Sequence, residues 1–278
     1  AAHVSTNDLF QAQTLGVFER YDKNDNFLAS VRADLFAAYL LGEAHEEHPY
    51  LDVLKAFNTE LLTGERIEAL TAVREMHAAA WPDVMHGEWA GFYLEYRLAA
   101  FLGRSVAGSL VSFQKVKQRG AFDYDLAFWD GRRITHYGDL KASDATKRES
   151  PGNDAADLSR CLDEYGRFWY VIYEHDTWHS RDEGDLPVIA WNEWRRAVGH
   201  VGRKAYDPLS YARRFKSAVR FVRMSVLEVN EANRHQVLVP FNQGRQPDGS
   251  KRAPKVLISK RNIDNFLIYS QSAEPTRT

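Results

Sequence analysis

The chain has little cysteine, no long apolar segment and no recognisable export signal. One cysteine, Cys161, occurs among 278 residues, which excludes an intramolecular disulfide and fits a reducing cytoplasm. No stretch approaches the roughly 18–20 apolar residues of a membrane span, and no basic segment followed by an apolar run marks a secretory signal. Together with 44% apolar and 27% charged residues, these absences predict a soluble cytoplasmic protein with no membrane association.

The signatures of several enzyme mechanisms are also missing. There is no glycine-rich phosphate loop, no Ser-His-Asp signature and no dinucleotide-binding fingerprint. The pairs His45/His48 and His175/His179 lack a third ligand at zinc-binding spacing, so surface or core histidines are favoured over a zinc site. Cys161 lies among helix-forming residues and is interpreted as a packed thiol rather than a nucleophile.

Charge is unevenly distributed along a chain whose net charge is only −2. Residues 1–100 contain 7 Lys and Arg against 16 Asp and Glu, whereas residues 200–278 contain 15 against 6. A basic C-terminal third on a nearly neutral protein favours a surface that binds a polyanion such as nucleic acid. The alternative is that the two ends of the chain neutralise each other in the folded protein.

Hydrophobic periodicity divides the chain near Gly103. Before this residue, apolar side chains recur at intervals of three and four, which predicts a mainly helical part over residues 1–105. The predicted helices cover residues 51–62, 63–80 and 87–102. After Gly103, short apolar runs bounded by turn residues predict the core of a sheet over residues 106–200, followed by a basic part over residues 201–278.

The second half of the chain alternates between predicted strands and helices. Asn153 or Asp154 is expected to begin one helix, and Asp207-Pro208 a second that continues to about Arg223. The predicted strands cover residues 110–117, 122–129, 134–141, 168–173, 186–191, 225–229, 236–241, 255–259 and 266–269. This order predicts an α/β (α+β) fold with a mixed central β-sheet flanked by helices, in one domain spanning residues 1–278.

The clearest chemistry lies on a predicted hairpin around the turn dipeptide Asp130-Gly131. Asp125 lies on its first strand, and Asp139 and Lys141 share one face of its second strand. Because the two strands pair across the turn, Asp125 can lie on the same face of the sheet as Asp139 and Lys141. Two facing carboxylates repel each other, so the arrangement is unfavourable without a cation or a lysine beside them.

Two carboxylates and a lysine are suited to phosphodiester hydrolysis. Mg²⁺ takes one or two protein carboxylates plus substrate phosphate, and it lowers the pKa of a bound water. The lysine can hold that water or offset the charge that develops on phosphorus. Asp125 is preferred to Asp123 as the first ligand because an uninterrupted apolar run begins directly after it. The alternative is a surface hairpin with ordinary charged positions.

Glu95 is the candidate third acid. On the predicted helix over residues 87–102 it shares a stripe with Phe92, Ala99 and Leu102, which directs its carboxylate towards the core. Burial of an unpaired carboxylate is costly, so a metal ion or a buried base is expected beside it. A salt bridge with an arginine is the alternative, and Glu88 is the replacement candidate if the helix is rotated.

Basic residues in the C-terminal third are the candidates for DNA binding. On the helix predicted after Asp207-Pro208, one face carries basic residues at steps of three and four, as a ridge that follows a phosphate backbone would. A solvated face is the alternative. A basic loop over residues 242–254 is the candidate region for base recognition. The predicted DNA-binding residues are Arg213, Lys216, Arg220, Arg223, Arg245, Lys251 and Arg252.

Glu95, Asp125 and the Asp139-Leu140-Lys141 segment together resemble the PD-(D/E)xK nuclease superfamily, in which type II restriction endonucleases are common. The proline that usually precedes the first aspartate is replaced here by Tyr124. The segments over residues 137–142, 164–170 and 173–176 are similar to the ApaLI-like restriction endonucleases, and this closer resemblance covers roughly residues 50–200.

The resemblance implies a restriction-endonuclease-like sheet and Mg²⁺-dependent cleavage of both strands of a short palindromic DNA site such as GTGCAC. It also implies a homodimer and a cognate DNA methyltransferase that protects the host DNA. Its site residues would be Asp125, Asp139, Lys141 and Glu95, with Asp125 and Asp139 as the metal ligands. The alternatives are a repair, recombination or toxin nuclease of looser specificity and a DNA-binding protein without catalytic activity.

Overall fold

The computed structural model describes residues 49–82, 84–104, 110–114, 124–200, 214–242, 244, 252–261 and 263–274. Within these residues, three helices lie in the first part of the chain: α1 (Pro49–Leu61), α2 (Ala69–Ala78) and α3 (Trp89–Arg104). Three more follow later in the chain: α4 (Ala155–Tyr165), α5 (Leu186–Ala197) and the single turn α6 (Arg234–Val237). Two short 3₁₀ segments cover Ser180–Asp182 and Ile263–Phe266.

The strands form two sheets. In chain order they are β1 (Ile67–Glu68), β2 (Val111–Phe113), β3 (Leu126–Asp130), β4 (Arg133–Asp144), β5 (Glu149–Asp154), β6 (Arg167–His179), β7 (Lys216–Asn230), β8 (Leu238–Phe241), β9 (Lys255–Ser259) and β10 (Leu267–Ser272). The main sheet has the order β1-β7-β6-β4-β3-β2, and β10 also pairs with β7. Strands β4 and β6 are parallel and their neighbours are antiparallel, so the sheet is mixed. A second sheet has the order β5-β9-β8.

This architecture confirms the expected mixed central sheet flanked by helices. Helix α1 forms as predicted, because Leu51, Leu54, Phe57 and Leu61 recur at helical spacing and all four are buried. The helices over the predicted 63–80 and 87–102 regions are also present, although the first begins only after the short strand β1.

Strand β6 is a central strand of the main sheet and is covered on both faces. Its side chains alternate between two apolar clusters, with Trp169 and Val171 in one cluster and Tyr170 and Ile172 in the other. The first cluster packs under α1, α2, α3 and α5, and the second packs under α4 and the β5-β9-β8 sheet. A continuous apolar run is the expected sequence of such a strand.

Two predicted elements are wrong. Residues 186–191 were expected to form a strand, yet they begin helix α5, in which Pro187 occupies the first turn and Val188, Trp191 and Asn192 form the buried stripe. The helix expected to run to Arg223 is contradicted from Lys216 onwards, where the chain forms the long strand β7. The start of that helix at Asp207-Pro208 lies outside the described residues.

A candidate two-carboxylate metal site

A β-bulge places the two key acids on the same face of the sheet. Strands β3 and β4 pair as Asp130 with Arg133 next to the turn, and this register alone would place Gly138 opposite Asp125. A register shift between Phe128 and Trp129 leaves Thr135 as an extra residue, so that Leu126 pairs with Gly138. Asp125, the residue directly before β3, therefore comes beside Asp139, and their carboxyl groups form a hydrogen bond. Without that extra residue the acids would lie on opposite faces.

The bulge and the turn have local causes. Gly131 has a φ of 58°, a left-handed conformation that glycine adopts without strain. The hydroxyl of Thr135 donates a hydrogen bond to the carbonyl of Phe128 at 3.2 Å, which ties the extra residue to the facing strand. Gly138 is required for close packing, because a Cβ there would lie 2.7 Å from the carbonyl oxygen of Trp169.

Hydrogen bonds hold the two carboxylates in place. Oδ2 of Asp125 accepts a hydrogen bond from the backbone N–H of Leu140 at 3.2 Å. Oδ2 of Asp139 lies 2.5 Å from Nζ of Lys141 and also accepts a hydrogen bond from Nδ2 of Asn153. Asp139 is only 3% exposed, whereas Asp125 and Lys141 are partly exposed. A ligand therefore reaches the site from the side of Asp125 and Lys141.

The pKa values of the three groups show that the site is short of positive charge. Burial, the charge of Asp139 and a hydrogen bond with it raise the pKa of Asp125 well above its usual value. Burial would also raise the pKa of Asp139, but the Lys141 ammonium and hydrogen bonds from Asp125, Lys141 and Asn153 bring it below the usual value. Burial would lower the pKa of Lys141, yet Asp139, Asp125 and Glu95 raise it.

The two carboxyl groups are in contact and face a single ammonium group. A divalent cation fits here, because it neutralises both carboxylates. Asp125 and Asp139 are the residues that would hold it. Within the described residues, no group of three or more His, Cys, Asp or Glu side chains is close enough to hold a metal ion. Asp125 and Asp139 would supply two carboxylates to such a site, a number that suits Mg²⁺.

Glu95 lies at the edge of the site. It is half-buried on α3, and its charge raises the pKa values of both Asp125 and Lys141. The structure therefore brings Glu95 into electrostatic range of the pair. The replacement candidate Glu88 is exposed and forms an ion pair with Lys216 at 3.0 Å, so its carboxylate is engaged elsewhere. Asp123 lies outside the described residues.

Asn153 is a site residue that the sequence did not reveal as one. It is the next-to-last residue of β5, directly before Asp154, whose carboxylate caps α4 by accepting the N–H groups of Ala156 and Asp157. The cap fixes the end of β5 and so directs the amide of Asn153 at Asp139. Its Oδ1 atom is buried with no hydrogen-bond partner in the described part of the chain. The sequence indicated a helix start at Asn153 or Asp154. It did not indicate the contact between Asn153 and Asp139, because that contact depends on packing between separate strands.

A small cleft opens beside the lysine. Its volume is about 190 Å³. It is lined by Tyr124, Lys141, Gly152, Asn153, Asp154, Asp157 and Lys255. The cleft therefore reaches the two side chains that hold Asp139 in position and provides an approach for a small polar group such as a phosphate.

The predicted basic ridge is not a helix face. Lys216, Arg220 and Arg223 lie on β7, and each has an acidic partner: Glu88 at 3.0 Å, Asp176 at 2.5 Å and Asp264 at 2.6 Å respectively. The spacing of four and three suggested a helix, but bulges at Ser217 and Val222 break the period of two in β7. Arg220 and Arg223 therefore lie on one face of the strand and Lys216 on the other. Arg252 is exposed, and Arg213, Arg245 and Lys251 lie outside the described residues.

The histidines and the cysteine have structural environments. His175 is fully buried, its Nδ1 lies 2.9 Å from the hydroxyl of Thr177, and burial together with Lys216 lowers its pKa to about 4. His45 and His48 lie outside the described residues. Cys161 is buried on α4, and burial raises the pKa of its thiol to about 12, which confirms a packed thiol.

Comparisons with protein-family models, with curated proteins and with solved structures give no match for this chain. Among the described residues, no helix combines the length and the apolar composition needed to cross a membrane.

Proposed function

We propose that the protein is a metal-dependent phosphodiesterase of the PD-(D/E)xK type. The observation that carries this proposal is the contact of the Asp125 and Asp139 carboxyl groups, with Lys141 in contact with Asp139, at the β3–β4 pair of the main sheet. A buried acid pair with one compensating ammonium is unfavourable for a purely structural role, because it lacks the positive charge to neutralise both carboxylates.

The side chains of the site have separate tasks in this proposal. Asp125 and Asp139 hold Mg²⁺, which supplies Lewis acidity and lowers the pKa of a bound water. Lys141 orients the attacking water and offsets negative charge on the phosphate. Asn153 fixes the rotamer of Asp139 through its amide, and Glu95 adds negative charge that favours cation binding.

More specifically, we propose a type II restriction endonuclease similar to the ApaLI-like enzymes. Its substrate is double-stranded DNA with a short palindromic site, and GTGCAC is the first site to test. The active form in this proposal is a homodimer in the cytoplasm, with a DNA methyltransferase protecting the host. The support is the resemblance of the segments that form the end of α4, strand β6 and the part of β4 that carries Asp139.

Incubation of purified protein with phage DNA, with Mg²⁺ or with EDTA, tests the proposal. We expect discrete fragments only with Mg²⁺, and sequencing of their ends gives the recognition site and the cut position. A continuous smear with Mg²⁺ favours a nuclease of looser specificity instead. Binding of DNA without any cleavage, across several divalent metals, favours a DNA-binding protein and contradicts the enzymatic proposal.

Asn153→Ala is expected to lower cleavage by about 10- to 100-fold, the usual cost of removing a residue that orients a metal ligand. The Mg²⁺ concentration needed for half-maximal rate should rise, because Asp139 loses one of the two donors that fix Oδ2. The measurement is the initial cleavage rate as a function of Mg²⁺ concentration.

Asn192→Ala is the matched control for Asn153→Ala. Asn192 is also a buried asparagine, but its amide donates to the carbonyl of Val188 within α5, away from the acid pair. Its substitution is expected to lower stability without changing the Mg²⁺ dependence. An Asn153→Ala variant with an unchanged Mg²⁺ dependence would contradict the role assigned to this amide.

A further inference from the structure

A second, larger cleft lies at the end of β4 that is distant from the hairpin turn. Its volume is about 390 Å³, and its walls come from the loop over residues 145–148, from β6 and β7, and from the segment after β9. Five basic side chains line it: Lys147, Arg148, Arg223, Lys260 and Arg261. Concave walls of one charge sign concentrate the electrostatic potential, so the cleft attracts anions.

Among the described residues, the acidic side chains that line the cleft are Glu174 and Asp264, and both are neutralised within it. Lys260 lies 2.7 Å from Glu174 and also donates to the carbonyl of Asp144, and its side chain is only 11% exposed. Arg223 lies 2.6 Å from Asp264 and 3.8 Å from Glu174. These partly buried ion pairs hold the walls of the cleft together. They do not neutralise Lys147, Arg148 and Arg261, the other basic residues of its lining.

Lys147, Arg148 and Arg261 supply the remaining charge. All three are exposed, and none forms an ion pair with any acidic side chain of the described residues. Three positive charges therefore stand at the rim of the cleft with their donors available to a ligand.

Hydrogen bonds join the backbone segments that form the rim. The carboxylate of Asp144 accepts hydrogen bonds from both the backbone N–H and the hydroxyl of Thr146, which closes a tight turn. The backbone N–H of Lys260 donates to the carbonyl of Arg148 at 2.9 Å, which joins the two sides of the rim. A preformed arrangement of cations reduces the entropy lost on binding.

The cleft lies one step along the strands from the acid pair. Lys141 is paired in register with Ile172, which lines the cleft, and Ser143 is paired with Glu174. Side chains two residues apart on a strand share one face and are separated by about 7 Å. The cleft therefore opens on the same face of the sheet as Lys141, beyond the buried side chain of Ser143.

We propose that this cleft binds backbone phosphates of the DNA substrate, on the same face of the sheet as the acid pair, through Lys147, Arg148 and Arg261. This inference rests on the proposed nuclease function. It replaces the predicted helical ridge with a surface from two separate segments, of which only the one with Arg261 belongs to the basic C-terminal third. Specificity for particular bases is not part of its role, because phosphate contacts position DNA without reading sequence.

The test is the salt dependence of DNA binding in the triple variant Lys147→Ala/Arg148→Ala/Arg261→Ala. Fluorescence anisotropy with a labelled DNA duplex in EDTA measures binding without hydrolysis. Each lost phosphate contact lowers the slope of log K against log salt by about 0.9, so the triple variant should lose about 2 to 3 units of slope and about tenfold or more in affinity. The charge-conserving triple variant Lys147→Arg/Arg148→Lys/Arg261→Lys is expected to retain most of the slope.

The matched control is Arg132→Ala/Arg133→Ala/Arg196→Ala, which removes the same charge from exposed positions on the hairpin turn and on α5. It should keep the wild-type slope. If both triple variants lose the same salt slope and affinity, the effect depends only on net charge and the proposal is overturned. The proposal is also overturned if the cleft variant binds the duplex as the wild type does. A third outcome also overturns the proposal: phosphate raises the thermal stability of the wild type but not of the cleft variant, while both bind the duplex equally. The cleft would then bind a free anion.

Failure of this inference and failure of the nuclease proposal give different results. If the wild type cleaves DNA while the cleft variant binds duplex normally, only the cleft assignment fails. If duplex binding depends on the cleft but no metal supports cleavage, the cleft assignment stands and the enzymatic proposal fails. Absence of duplex binding by the wild type at low salt overturns both.

Discussion

Asp139→Asn is expected to abolish Mg²⁺-dependent cleavage and to leave DNA binding intact. The amide keeps the shape of the side chain but removes the charge that a cation needs between Asp125 and Asp139. The loss of several kcal/mol of charge stabilisation corresponds to a rate lower by about 10³-fold or more. Asparagine is a better choice than alanine here, because position 139 is 3% exposed and a cavity would confuse the result.

The measurements are the initial cleavage rate of a labelled duplex with saturating Mg²⁺ and the affinity for the same duplex in EDTA. Asp130→Asn is the control, since Asp130 is an exposed acid on the same hairpin at the turn end of β3. Its substitution should change neither quantity appreciably. Cleavage by Asp139→Asn at the wild-type rate, with the same metal dependence, would falsify the assignment of the site.

Much of the hairpin follows from local sequence. Asp130-Gly131 sets the turn, and Gly131 takes the positive φ that such a turn requires. The sharing of one face by Asp139 and Lys141 follows from the period of two along a strand. The pairing of Asp125 with Asp139 depends in addition on the bulge at Thr135, and a strict count from the turn places the acids on opposite faces. A bulge is stabilised by contacts between strands, which local patterns do not encode.

The errors came from residues whose spacing fits two structures. Residues 186–191 are apolar enough for a buried strand, but Pro187 and the buried stripe of Val188 and Trp191 belong to a helix. In β7 the basic residues are spaced by four and three, which suits a helix, and the bulges hide the period of two that is typical of a strand. Position in the sheet decided the outcome, since β7 is paired with β6 on one side and with β1 and β10 on the other.

Asn153 and the basic cleft show a different limit of sequence reasoning. Asn153 reaches Asp139 because the β5-β9-β8 sheet packs over β4, and the cleft combines residues near positions 147, 223 and 261. These groups are distant in sequence and carry no common motif. Composition revealed the excess of positive charge in the C-terminal third, but the described cleft draws part of its charge from the loop after β4.

Lys141→Met is expected to remove cleavage activity and to lower the free energy of unfolding in EDTA by about 3–5 kcal/mol. Loss of one partner from a buried ion pair leaves the other charge uncompensated, which is the cause of a penalty of this size. Here the uncompensated charge belongs to Asp139, whose Oδ2 lies 2.5 Å from the Lys141 ammonium. Methionine keeps most of the apolar volume of the lysine stem, so the loss reports charge rather than packing.

Mg²⁺ should restore part of this stability, and more of it in the variant than in the wild type. In the wild type the Lys141 ammonium already neutralises part of the acid pair and competes with the cation, whereas in Lys141→Met the cation is the main source of positive charge. Urea unfolding in EDTA measures the stability lost by the substitution, and urea unfolding in Mg²⁺ measures the part that is restored. A ligand that binds only the folded state adds RT ln(1 + [L]/Kd) to the free energy of unfolding. Lys55→Met is the control, since Lys55 forms a partly exposed ion pair with Asp52 at 3.0 Å and should cost about 1 kcal/mol or less. Equal losses at the two positions, or a Mg²⁺ response no larger in Lys141→Met than in the wild type, would show that Lys141 does not balance the charge of the acid pair.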